Sequence, residues 1–235
     1  EFERSAREVA QRNARPKDPL LVGYFTDNEV DFNVDVVFRE YSDMAPNEPG
    51  KLALVNFIKG YYGDDINALN RNLGTRLRSF DELMDYTSRE FQYMESKGVD
   101  LRPVKVAFTL EVAKRYTEVT VNAIKAADPN HLILGSRFAG DNAKGVIEAF
   151  RGFDVISNNY YGENPPIGYF NFIHSKVGKP ILLSEFSFRA MDTGHPNTRG
   201  AGIIVGGQAE RAGYVKAWLI NMLQQPWFIG YMWWE

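Results

Sequence analysis

The chain has 235 residues, 44% of them hydrophobic and 24% charged, a composition that can bury a substantial core and that excludes a disordered or low-complexity chain. A formal net charge of -3, with the charges scattered rather than blocked, offers no basic field to phosphates and argues against a nucleic-acid partner. It contains no cysteine, which excludes disulfides and thiolate metal sites, and no apolar run approaches the roughly 20 residues that a membrane span needs.

Taken in order, residues 1–14 place Phe2, Ala6, Val9 and Ala10 near one helical face, and Pro16 and Pro19 stop the helix. The short apolar run 20–25 predicts a buried strand. Helical stretches over 46–72 are broken by Gly60, Gly63 and Asp64, and 80–97 has the spacing of one amphipathic helix ended by Gly98. Pro103 opens a helix reaching about Ala127, where Asp128, Pro129 and Asn130 form a break. Beyond it, strands at 132–136, 154–158, 181–184 and 228–233 alternate with helices at 142–150, 166–177 and 207–224. That alternation implies parallel strands joined by crossovers, hence an α/β fold. Periodicity alone fits an open sheet or a barrel lacking its first three strands, since a closed (β/α)8 barrel needs eight. No G-x-G-x-x-G string follows the first strand, which weakens a dinucleotide-binding sheet. The chain opens inside a helix, shows no charged-then-apolar leader and stops directly after a strand, so a piece of a longer protein is expected.

Two glutamates occupy the same kind of position, the carboxyl end of a buried strand: Glu29 in G-Y-F-T-D-N-E and Glu185 in L-L-S-E-F. In a parallel barrel such ends open onto one face, where loops from different strands converge. Glycosidic bond hydrolysis needs such a pair, one carboxyl group to protonate the leaving oxygen and the other to attack the anomeric carbon or activate water. Taken singly, either glutamate reads equally well as a helix cap or the partner of an arginine. His131, His174 and His195 lie on separate segments without metal-ligand spacing, so neither a metal nor any other cofactor is expected. A serine hydrolase is excluded for want of a G-x-S-x-G elbow.

Asn28-Glu29 after one apolar strand and Ser184-Glu185-Phe186 after another resemble the acid/base and nucleophile signatures of the large clan of retaining glycosidases built on (β/α)8 TIM barrels. The fuller strings G-Y-F-T-D-N-E, H-L-I-L-G-S-R-F-A-G, D-V-I-S-N-N-Y-Y, L-L-S-E-F-S-F-R-A-M-D-T-G and G-Y-M-W-W are similar to β-agarases and their near relatives. The resemblance implies that residues 1–235 form the carboxyl-terminal portion of a single TIM-barrel catalytic domain, strands four to eight, with the first three β/α units missing from the chain. It implies an oligo- or polysaccharide substrate, a β-linked galactan such as agarose, and a secreted or periplasmic address. A β-galactosidase, β-glucanase or β-mannanase of the same clan, or a non-catalytic carbohydrate-binding or inactive barrel fragment, stays open beside it. One departure is Arg189-Ala190, where the pattern has smaller residues such as glycine.

By the same resemblance Glu29 acts as acid/base and Glu185 as nucleophile, while Asn28 binds the sugar 2-hydroxyl. Tyr161 orients the nucleophile, with Tyr160 the alternative because a one-residue slip reverses which side chain faces inward. Asn159, in the same string, is a further candidate for substrate contact. Trp233 or Trp234 supplies a stacking platform, Glu235 reaches sugar hydroxyls, and Arg137 holds a hydroxyl or tunes Glu185. A core tryptophan, an exposed glutamate and a structural ion pair are the plainer readings of those three positions. His195 sits in a long glycine-rich loop over the expected active face, either a substrate lid or a loop without a role.

Overall fold

A computed structural model of the chain describes residues 1–194 and 197–234. It divides into two compact units, one made of Glu1–Asp31 with Lys114–Glu235 and the other of Phe32–Ala113. Helix α1 (Phe2–Asn13) and strand β1 (Gly23–Phe25) come first and belong to the former.

The unit Phe32–Ala113 is helical: α2 (Val34–Ser42), α3 (Pro49–Tyr61), α4 (Ile66–Leu73), a 3-10 segment Phe80–Asp85, α5 (Ser88–Ser96) and the opening half of α6 (Arg102–Ala127). Its helix starts are fixed by side-chain acceptors. Asn33 takes the Asp35 and Val36 amides, and Asp65 takes that of Asn67. The single helix expected over 80–97 is two elements, and the reason is local. Ser79 with Glu82 and Thr87 with Glu90 each form a capping box, so a second start signal falls inside the apolar run. Between the boxes Tyr86 is extended, and its carbonyl accepts a hydrogen bond from the ammonium of Lys51. Lys51 is 1% exposed and also donates to the Ser42 carbonyl at 2.5 Å. Burial lowers its pKa. Helix α2 was not expected, although Val34, Val37 and Phe38 bury one face at helical spacing. Phe38 centres this core, meeting Phe91 edge-on at 5.0 Å among Leu54, Leu69, Leu83 and Phe108.

The other unit carries the strands, all paired in parallel. These are β2 (Leu132–Gly135), β3 (Phe138–Ala139), β4 (Ile156–Asn159), β5 (Ile181–Phe186), β6 (Phe188–Ala190), β7 (Ile203–Val205) and β8 (Phe228–Trp233). Helices α7 (Ile167–Val177) and α8 (Gln208–Leu223) and a 3-10 segment Lys144–Gly152 connect them. β1 pairs with β2, and the order β3-β4-β5-β8 forms a second sheet. The Ile133 carbonyl accepts from the Asp154 and Val155 amides just ahead of β4, so 132–139 runs between β1 and β4. The two sheets form one succession interrupted at Arg137, whose φ is +49°. The five strands expected from the sequence therefore stand side by side in chain order, as consecutive strands of a barrel wall do. The first, however, covers only Gly23–Phe25 of 20–25 and is not buried, with Leu20 90% and Val22 67% exposed. β6 and β7 were not expected; they pair with each other beyond the end of β5.

Asp128, fully buried after α6, ties the starts of β1 and β2. It accepts from the Tyr24 hydroxyl at 2.6 Å, from the Asn130 amide at 3.0 Å, and pairs with His131 at 2.7 Å. Burial raises the Asp128 carboxyl, but these hydrogen bonds outweigh it and hold its pKa at about 2, below the ordinary 3.8. The hydrogen bond to Asp128 also raises His131.

Two measurements follow from this fold. Phe38→Ala should lower the unfolding free energy of the helical unit by about 3–5 kcal/mol in urea titrations followed by circular dichroism. The folded state favours charged Asp128, so its contribution is present above pH 3.8 and is lost as the pH falls towards about 2. Asp128→Asn should accordingly flatten the decline of melting temperature across that acid interval.

Candidate active site

Parallel pairing puts the carboxyl ends of β1, β3, β4, β5 and β8 on one side, and the polar residues gather there. Inside the strands the buried positions are apolar, as at Ile133, Ile156, Ile181 and Leu183, all 0% exposed. At their ends buried polar residues take over: Ser136, Ser157, Asn158, Asn159, Ser184 and Glu185. Buried polar groups are costly unless hydrogen-bonded, and here Ser184 is bonded to Asn159, Ser157 to Arg137, and Glu185 to Arg137 and Tyr161.

Glu185, 6% exposed near the end of β5, is held at both carboxylate oxygens. Arg137 Nη2 donates to Oε1 at 2.5 Å and the Tyr161 hydroxyl donates to Oε2 at 2.5 Å. Tyr161 is pushed well above the ordinary phenol value by burial first, then by its bond to Glu185 and that group's charge, so it stays a donor. Tyr160 does not reach the carboxylate. Its amide donates to the Glu185 carbonyl at 2.9 Å, and its ring lies near Phe170 and Trp218. The register pairs Asn159 with Glu185 across a bulge after Asn158, which fixes which tyrosine points inward.

Glu29 stands at the end of the segment that continues β1. Thr26 donates its amide to the Gly135 carbonyl, and the Glu29 amide is shared between the carbonyls of Ser136 and Arg137 at 3.2 and 3.3 Å. Glu29 and Arg137 both have positive φ, 57° and 49°, a conformation that costs a residue with a Cβ on the order of 1 kcal/mol. Two such residues bonded to one another at adjacent strand ends mark a locally over-determined site.

Asn159, 1% exposed, bridges Glu29 and Ser184, the residue before Glu185. Its carbonyl oxygen accepts from Ser184 Oγ at 2.7 Å, and its Nδ2 donates to Glu29 Oε1 at 2.9 Å. A longer contact of 3.5 Å runs from the same nitrogen to Asn28 Oδ1. With both ends of its amide occupied, Asn159 acts on Glu29, whereas the sequence reading offered it only as a substrate contact. Asn28 is exposed, and its backbone N–H donates to the Asp27 carboxylate at 2.9 Å. Glu185 is buried and doubly clamped; Glu29 is exposed and tethered through one oxygen.

Aromatic rings border the pair. The Arg137 guanidinium lies between Phe25 and Trp234, 5.3 and 5.7 Å from their ring centres. Trp234 is 49% exposed, while Trp233 packs edge-on against Phe186 at 5.3 Å. His195 and Glu235 lie outside the described residues. Ser184, Ser157 and Phe25 were not picked out from the sequence. Ser157 Oγ accepts the Arg137 amide at 2.9 Å and so braces its positive-φ turn. For the two serines the signal is a hydroxyl directly after an apolar run within a buried strand. Among the described residues, no group of three or more His, Asp or Glu side chains is gathered as a metal site.

No family model matches the chain. Among curated proteins, β-agarase A of Vibrio sp. (strain JT0107) is 29% identical over 196 residues, covering 75% of this chain and 19% of that protein. Among solved structures, an exo-β-agarase superposes with a TM-score of 0.85 at 27% identity, covering 99% of this chain and 33% of that one. A second agarase gives 0.82 at 25% identity, covering 99% and 34%. A β-galactosidase from the psychrophilic Marinomonas ef1, at 14% identity and a TM-score of 0.63 over 99% of this chain and 36% of that one, shares the fold. The chain thus spans about a fifth of the curated relative's length and about a third of the two agarase structures.

Removing one partner of the buried pair should expose its cost. Arg137→Gln should lower the unfolding free energy by about 3 kcal/mol, since Glu185 keeps a buried charge opposed only by a phenol. Adding Glu185→Gln should restore a substantial part of that loss in the same denaturant titration, because the uncompensated charge is then gone.

Proposed function

We propose that this chain, a relative of the β-agarases, carries the catalytic glutamates of a glycoside hydrolase that cleaves a β-linked galactan such as agarose with retention of configuration. The observation that carries the reading is the unlike treatment of two carboxylates at the ends of parallel strands. Glu185 is fixed at both oxygens by Arg137 and Tyr161, and Glu29 is exposed and held through Asn159.

In this reading Glu185 attacks the anomeric carbon as Glu29 gives its proton to the leaving oxygen. Glu29 then takes a proton from the water that releases the glycosyl-enzyme. Retention requires the two carboxyl groups to stand about 5 Å apart, close enough for direct attack. Arg137 and Tyr161 point the nucleophile without reacting, so less ordering remains to be done in the transition state. Asn28 is assigned to the sugar 2-hydroxyl, and the exposed face of Trp234 to stacking under a ring. The catalytic domain is taken to be a (β/α)8 barrel in which three further β/α units close the gap from β8 to β1. Support comes from exposed apolar side chains at both outer strands, Val22 just before β1 at 67% and Ile229 in β8 at 55%. A polymeric substrate would place the protein outside the cytoplasm. No helix among the described residues is long and apolar enough to cross a membrane.

The test is hydrolysis of agarose and of aryl β-glycosides by the full-length protein beside its variants. Glu29→Gln and Glu185→Gln should each lose at least about 10²-fold in kcat. Azide should rescue only Glu29→Gln, giving a glycosyl azide of retained configuration. Full activity in either variant, or azide product of inverted configuration from Glu29→Gln, would overturn the assignment. Tyr161→Phe should lower kcat about tenfold or more with little change in KM, because it misaligns Glu185 without touching the sugar.

A further inference from the structure

Beyond the two glutamates, the segment after β5 builds a cavity of about 550 Å³, within the range of small-ligand sites. Its walls include Ser187, Arg189, Arg199, Arg211, Trp233 and Trp234, and no aspartate or glutamate among the described residues lines it. Three guanidinium groups line one cavity with no carboxylate among its described residues, in a chain whose formal net charge is -3.

The three arginines are used differently. Arg189 gives Nε and Nη2 to the Gly202 carbonyl, at 3.1 and 2.9 Å, and pins the loop between β6 and β7. Arg211 lies over the Trp233 ring, 5.6 Å from its centre. Neither Arg199 nor Arg211 has a carboxylate within ion-pair distance among the described residues. The nearby acids are committed elsewhere: Asp192 accepts the Gln208 amide at the start of α8, and Glu210 accepts the Gly206 amide at 2.6 Å. Arg199 and Arg211 thus carry charge that no described carboxylate neutralises, whereas Arg189 is spent on the loop.

The cavity adjoins the catalytic pair. Ser187 follows Glu185 by two positions, and Trp234, on the cavity wall, also covers the Arg137 guanidinium that holds Glu185. A flat apolar ring face beside positive charge suits a sugar that carries an anionic group. We infer that this cavity is a substrate subsite for a sugar residue bearing a negatively charged substituent, either a sulfate ester or a carboxylate, bound by Arg199 and Arg211 with its ring against the tryptophans. The inference deepens the glycosidase reading and rests on it. Guanidinium forks match both oxyanions, and their charge-assisted bonds exceed neutral ones in strength.

The experiment titrates the full-length Glu185→Gln protein by calorimetry with three probes: a neutral β-galactan oligosaccharide, its 6-O-sulfated counterpart, and an oligosaccharide of equal length containing a uronate. At least one anionic probe should bind about tenfold tighter than the neutral one, the factor of a single charge-assisted contact. The preference should shrink as salt is raised, and Arg199→Gln with Arg211→Gln should bring the ratio close to one. Preference for the sulfated or the uronate probe alone distinguishes the two substituents. The ratio of kcat/KM values on the wild type gives the same comparison without the active-site substitution. Equal affinity for all three probes, or a preference that survives both arginine substitutions, overturns the subsite; hydrolysis of the neutral galactan then still upholds the glycosidase. If wild type hydrolyses none of the three, the glycosidase reading falls and the subsite with it.

Discussion

Everything at the strand ends answers to one constraint: the Glu185 carboxylate is almost wholly removed from water and needs both oxygens satisfied. Two donors meet that need, and each imposes an architecture. Arg137 must leave the line of its strand to reach sideways, so the chain turns there with positive φ and the strand splits into β2 and β3. Tyr161 must lie one position beyond the end-of-strand tyrosine, which the bulge after Asn158 arranges.

The second carboxylate is coupled to the first through backbone and amide rather than through a direct bond. The Glu29 amide rests on the carbonyls of the Ser136-Arg137 turn, and its side chain takes the amide of Asn159, whose own oxygen is held by Ser184 immediately before Glu185. A shift of Arg137 therefore disturbs both glutamates. Most polar atoms of the group are paired, with Arg137 Nε and Asn158 Oδ1 the ones that lack a partner among the described residues, and this pairing is why small polar residues displace apolar ones at the ends of otherwise apolar strands.

Much of this could be read in the sequence, and the rest failed for definite reasons. Strands around 132, 156, 181 and 228 were legible because each is an apolar run bounded by turn residues, and β8 falls where expected, Phe228–Trp233. Glu29 and Glu185 stood out by their place after such runs. The helix over 80–97 was drawn as one because its apolar spacing continues through Tyr86; only the two capping boxes show the break, and the Lys51 bond that holds it comes from another helix. β6 and β7, three residues each, are too short to display a period. The joining role of Asn159 was not readable because it depends on register between three strands, which one sequence does not specify. Arg189, a departure from the expected pattern, has a structural use in pinning the loop that ends at Gly202.

The division of the chain into two units has a spectroscopic consequence. All four tryptophans, Trp218, Trp227, Trp233 and Trp234, fall in the strand-bearing unit, and the helical unit Phe32–Ala113 has none. Emission excited in the indole band thus reports on the strand-bearing unit alone. The phenolic signal is shared, since Tyr41, Tyr61, Tyr62, Tyr86 and Tyr93 lie in the helical unit and the other seven of the twelve tyrosines in the strand-bearing one. A denaturation in which indole emission is recorded beside the helical circular dichroism can tell a concerted loss of structure from a sequential one without any added label.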